Sequence, residues 1–121
     1  MNRSFSLRTI DFQRVWDDGK SWSHPLIVLR ARANGMEQRR FGFVAGKKVG
    51  KATVRNHAKR LMREAVRHRL PNIAPGWDII VIARSGAASA TLTDIDAAIA
   101  NLLHRAKLEI EKPGFSEKPG F

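Results

Sequence analysis

Gly46-Lys-Lys-Val-Gly-Lys-Ala-Thr-Val-Arg-Asn-His-Ala-Lys-Arg60 is the stretch on which the fold turns. It joins an alternating run, Arg40-Phe-Gly-Phe-Val-Ala45, to a segment with helical spacing. Over about residues 53–70, Val54, Ala58, Leu61, Met62 and Ala65 fall within an arc of roughly 100°, so this stripe faces a core. Arg55, Asn56, Lys59, Arg60, Arg63 and Arg67 project on the opposite side. Charged helix faces ordinarily interleave acids four residues away, yet here Glu64 lies at the edge, beside His57 and His68. Five cations left unbalanced on one face point to a phosphate-bearing partner. The segment before the helix adds Lys47, Lys48 and Lys51, backbone N–H groups and a positive helix end, all suited to phosphate. It is not a Walker A loop. Three residues separate Gly46 from Gly50 where four are required, and Ala52 stands where a hydroxyl would meet magnesium.

Toward the N-terminus, Thr9-Ile-Asp-Phe-Gln-Arg-Val-Trp-Asp-Asp-Gly19 carries a first helix, with Thr9 as cap, Asp11 in the first turn and Gly19 closing the end. Phe12, Val15 and Trp16 share its apolar face. Ser21-Trp22-Ser23 is a short extended piece before Pro25, and the run from Leu26 to Arg32 has the β-branched content of a strand. Asn34-Gly35 then turns the chain, so this strand and the one through Phe41 and Phe43 are expected to form a hairpin. Phe41 and Phe43 share a face by alternation, and the sequence leaves open which face it is. Beyond the basic helix, Pro71, Pro75 and Gly76 break the chain. Trp77-Asp-Ile-Ile-Val-Ile-Ala-Arg84 is almost continuously apolar, which predicts a central strand buried on both sides. A last helix begins near Thr93, with Asp94 and Asp96 at its positive end and Ile95, Ile99, Leu102, Leu103 and Ala106 turned inward.

The order is therefore α-β-β-β-α-β-α, an α+β single-domain sandwich over residues 1–110. A tail over residues 111–121 repeats Glu-Lys-Pro-Gly-Phe twice and is expected to be disordered. The chain has 121 residues, 43% of them apolar, enough for one core. Its 22 Lys and Arg against 11 Asp and Glu leave a formal charge of +11, which makes nucleic acid the default partner. No run approaches the roughly 18 apolar residues of a membrane span, and the start lacks a signal-peptide core, so a cytoplasmic protein with no membrane partner is expected. The absence of Cys excludes disulfides, thiolate metal sites and a thiol nucleophile. His24, His57, His68 and His104 form no metal-binding HExxH pattern, and Asp94 and Asp96 have a helix end to explain them. No catalytic residue and no metal ligand is assigned.

The block from Lys47 to Arg60 closely resembles the signature of bacterial ribonuclease P proteins. The resemblance extends to Asp11-Phe12, Val15-Trp16, Arg40-Phe-Gly-Phe-Val44 and Asp78-Ile-Ile-Val-Ile-Ala-Arg84, covering about residues 5–108. It implies a fold similar to ribosomal protein S5 domain 2, with an uncommon left-handed β-α-β crossover around the basic helix, against the usual hand. It also implies that Arg55, Asn56, Lys59, Arg60 and Arg63 contact a catalytic RNA, with Lys47, Lys48, Lys51, His57 and Arg67 beside them. His57 departs from the family's usual third arginine and is a weaker cation. A cleft between the first helix and the sheet would hold the single-stranded 5′ leader of precursor tRNA. Phe12 and Trp16 match its aromatic positions, and Arg30 stands where another aromatic is often found. The resemblance thus implies the protein subunit of a ribonucleoprotein endonuclease for tRNA 5′ maturation. Its chemistry would belong to the RNA and to Mg2+ held mainly by RNA, with no organic cofactor. Composition alone also permits a ribosomal or RNA-chaperone protein, or a stand-alone nuclease.

Overall fold

A computed structural model describes residues 6–110; the Glu-Lys-Pro-Gly-Phe copies, and with them the expectation of disorder, lie outside the described residues. The elements are α1 (Thr9–Asp18), β1 (Lys20–Ser23), β2 (Ile27–Ala33), β3 (Arg39–Ala45), α2 (Ala52–Arg69), β4 (Trp77–Ala83) and α3 (Leu92–Arg105), in the expected order. Short 3₁₀ turns occupy Lys47–Val49, Leu70–Asn72 and Ser85–Ser89.

One expected pairing is not made. The sheet order is β1-β2-β4-β3, with β4 antiparallel to β2 and parallel to β3, so β2 and β3 never meet. The reason lies in β4. Ile79, Ile80 and Val81 are all completely buried, and only the centre of the sheet covers both faces of such a strand. A β2–β3 hairpin would leave it on an edge. The tight hairpin in the sheet is instead β1–β2, closed where His24 Nδ1 accepts the Leu26 N–H at 3.0 Å and the His24 N–H donates to the Ile27 carbonyl at 2.9 Å. Between β3 and β4, α2 is the crossover that joins two adjacent parallel strands.

The two sheet faces are covered differently. Ile27, Leu29 and Ala31 of β2, Phe41 of β3, and Ile79, Val81 and Ala83 of β4 join one cluster with Ala58, Met62, Ala65 and Val66 of α2 and the buried side of α3. Truncating any large member to Ala should cost about 2–5 kcal/mol. Phe41 and Phe43 thus face the α2 layer. The opposite face carries α1, which lies over β2 and β4 with Val15 completely buried. Helix ends depart slightly from expectation. Arg8 rather than Thr9 holds the N-cap position of α1, without a side-chain cap. For α3, Thr91 and Asp94 form a reciprocal capping box at 3.1 and 3.0 Å, placing the start just ahead of Thr93. Asp96 is not spent on that helix end. It takes Arg69 in a two-point ion pair at 2.8 and 2.9 Å, tying the last turn of α2 to α3.

Candidate nucleic-acid interface

The basic face of α2 looks away from the core its apolar stripe enters. Asn56, His57, Arg60, Arg63 and Arg67 are exposed, as are Lys47, Lys48 and Lys51 ahead of the helix, while Arg55 and Lys59 are half-buried. Among the described residues none of these ten forms an ion pair; the arginines that do are Arg8, Arg14, Arg32, Arg40 and Arg69. The helix opens with Lys51 at its N-cap, no side-chain cap and no acid in the first turn, so its leading N–H groups and its dipole are unopposed. The approach is shaped by Gly50, whose φ of 147° disfavours a side chain and whose Cβ would lie 3.2 Å from Val54. Buried Val49 anchors the intervening turn. Arg55 Nε is buried without a hydrogen-bond partner among the described residues. Arg60 Nη2 lies 3.1 Å from His57 Nδ1, and since arginine can only donate, Nδ1 is the acceptor of this contact.

A second constellation sits between α1 and the sheet. Phe12 and Trp16, four residues apart, stack with centroids 6.0 Å apart and planes 10° from parallel. Trp16 is 44% exposed, far from the burial of a core indole. Phe12 lies against Gly42 of β3, where an added Cβ would meet its ring at 3.0 Å. Arg30 of β2 places its guanidinium 5.6 Å from the Trp16 ring centroid and donates from Nη2 to the Trp16 and Gly19 carbonyls at 2.6 and 3.1 Å. It thereby satisfies carbonyls at the C-terminal end of α1 while backing the indole. The sequence left Arg30 open as a stacking or phosphate-binding cation; the geometry adds that it lies over the Trp16 ring and is clamped to two α1 carbonyls.

Beneath α1 lies a buried ionic network that sequence reasoning missed. Arg40 grips Asp78 through two bonds, at 2.9 and 2.8 Å, and reaches Asp11 at 3.0 Å. Arg8 also meets Asp11 at 3.0 Å, and Asn34 donates to Asp78 at 2.9 Å. Burial pushes the Asp11 carboxyl up, but the Arg8 hydrogen bond and the Arg40 charge outweigh it and hold the group below its ordinary value. The Asp78 hydrogen bond, against burial, raises Arg40 above its own. The only hint in the sequence was parity: Arg40 and Gly42 alternate with Phe41 and Phe43, so they face α1 if the phenylalanines face the core.

The family model described as Ribonuclease P matches residues 1–107. The chain belongs to the ribonuclease P protein family. The ribonuclease P protein component of Roseiflexus castenholzii is 44% identical over 108 residues, 88% of each chain. That of Herpetosiphon aurantiacus is 43% identical over 126 residues, covering 99% of this chain and 100% of its own. The structure of the Staphylococcus aureus RNase P protein superposes with a TM-score of 0.79 at 31% identity, over 88% of this chain and 98% of that one. The Thermotoga maritima RNase P protein gives a TM-score of 0.75 at 36% identity, over the same shares. The family-model match therefore spans both the α2 face and the α1 constellation and ends before the repeated tail, whereas the Herpetosiphon relative aligns over nearly the whole chain. No helix among the described residues is long and apolar enough to cross a membrane.

Proposed function

We propose that this chain is the protein subunit of a ribonuclease P ribonucleoprotein that removes 5′ leaders from precursor tRNA in the cytoplasm. In this reading the α2 face and the lysines before it bind the catalytic RNA, and the α1 groove receives the single-stranded leader on Phe12 and Trp16. The chemistry belongs to the RNA and to Mg2+ that it mainly holds, and no organic cofactor is needed. The observation that carries the proposal is the division of chemistry between the two faces of one sheet. Unpaired cations suited to a folded RNA backbone stand on one side, and an exposed indole backed by a guanidinium stands on the other. Among the described residues no three His, Cys, Asp or Glu side chains group as a metal site, and the buried carboxylates Asp11 and Asp78 are tied to Arg8, Arg40 and Asn34. In this reading the side chains of this protein act through charge and position.

The test is cleavage of precursor tRNA by the cognate catalytic RNA across a magnesium titration, with and without the full chain. The protein should lower the magnesium requirement and should not cleave alone. Cleavage by the protein without RNA would make it a stand-alone nuclease. RNA activity that ignores the protein at every magnesium concentration would leave a basic RNA-binding protein with no enzymatic complex.

A further inference from the structure

Arg63 differs from the other cations of α2 in what lies beneath it. Its guanidinium sits 5.4 Å from the ring centroid of Phe43, a half-buried residue of β3, one of the two edge strands of the sheet. Phe43 in turn stacks on Phe41 at 6.3 Å and 16° from parallel, and Phe41 is part of the core. A rigid support therefore runs from the core through two aromatic rings to one exposed cation. Guanidinium donors radiate in the plane of the group, so lying over a ring consumes none of them. Among the described residues Arg63 has no hydrogen bond or ion pair that would compete.

Resting on the RNA-binding reading of the α2 face, we propose that Phe43 is a positioning residue that holds Arg63 ready for a phosphate of the catalytic RNA. An arginine on a solvated helix face must surrender its side-chain freedom when it binds; one already resting on a ring has surrendered part of it beforehand. Phe43 touches no RNA in this scheme and acts only through Arg63.

The test is a double-mutant cycle on the full chain, with affinity for the cognate catalytic RNA measured at one salt concentration for the parent, Phe43→Leu, Arg63→Ala and the double variant. Leucine keeps the apolar contact and loses the π face. Phe43→Leu should weaken binding about two- to fivefold, as an exposed cation–π contact would, and should cost nothing further once Arg63 is gone. Phe43→Trp, with the stronger π face, should restore parent affinity. An equal loss from Phe43→Leu in both backgrounds, alongside a lowered melting temperature, would make Phe43 merely structural and overturn the proposal alone. Unchanged affinity in Arg63→Ala would take Arg63 off the RNA and overturn the proposal, and if Arg60→Ala were silent as well the RNA-binding reading of α2 would fall with it.

Discussion

Arg60 and Arg63 stand on the same helix face, one touching a histidine and the other a phenylalanine ring, and neither is paired with an acid among the described residues. Each should therefore release counterions when it meets RNA. Arg60→Ala or Arg63→Ala is expected to lower the slope of log K against log salt by somewhat less than one unit, scaling from roughly 0.7–0.9 per phosphate. Binding isotherms at several salt concentrations check this, and unchanged slopes for both would move the RNA site elsewhere. His57 is a separate case, because its Nδ1 accepts from Arg60. His57→Arg exchanges that acceptor for a permanent cation, so RNA binding at pH 7.5 should tighten and the salt slope should rise by a similar amount. A slope that stays flat would show that position 57 does not meet phosphate. On the other side of the sheet, Trp16→Ala should weaken binding of precursor tRNA to the reconstituted complex by about 5- to 150-fold, from roughly 1–3 kcal/mol of stacking, and leave mature tRNA nearly unaffected. At 44% exposure Trp16 should not incur the roughly 3–5 kcal/mol stability loss of a truncated core indole, so thermal unfolding of the same variant separates the two roles. Equal losses for both RNAs with a large drop in Tm would take Trp16 out of the leader site.

Helix α1 is held to the sheet by charge as well as by Val15, and charge makes its attachment sensitive to acid. Asp11 has a folded pKa below its unfolded value, so its contribution is fully present above the ordinary carboxylate pKa of about 3.9 and is lost as pH falls through the lower folded value. Stability measured by denaturant unfolding should therefore decline below about pH 4, and less steeply in Asp11→Asn, whose neutral side chain has no charge to lose. Equal steepness in both would dismiss Asp11 as the titrating group. Arg40→Ala should be worse at neutral pH, by about 3–5 kcal/mol, since it leaves buried Asp78 without a cation, held only by the neutral Asn34 amide, and Asp11 with Arg8 and Arg14 alone. The elements themselves were legible in the sequence because helix and strand periods differ, and the α2 face was legible because its cations had no acids to answer them. Pairing was less so: alternation along β2 and β3 says that each is a strand, but not which neighbour it takes. The doubly apolar β4 held the clue, since a strand buried on both sides needs two partners. The Arg40 network joins residues 29 and 38 positions apart, and no local pattern announces such a contact. Arg30 was identified as a groove residue, but its grip on two α1 carbonyls depends on where the helix ends in space.

Across the whole molecule, the α2 face and the α1 groove lie on opposite sides of one sheet and share no hydrogen bond or ring contact among the described residues. Losses at the two should add. Trp16→Ala combined with Arg63→Ala is expected to weaken precursor tRNA binding, at subsaturating protein, by the sum of the two free energies to within roughly 0.5 kcal/mol, and a larger coupling would mean that the two faces report on one contact. The central place of β4 also bears on biosynthesis. Residues Trp77–Ala83 are the last strand to be made, yet they separate β2 from β3 and provide Asp78, the two-point partner of Arg40. Until they leave the ribosome, β2 and β3 each lack their principal neighbour and Arg40 lacks that carboxylate, so α1 has no finished surface on which to dock. The α2 segment has emerged by then with its cations in place. A nascent chain can thus present its cations to a polyanion before α1 has a sheet to lie on, and Phe12 and Trp16 take their places beside Gly42 and Arg30 only when the late, long-range strand pairing is complete.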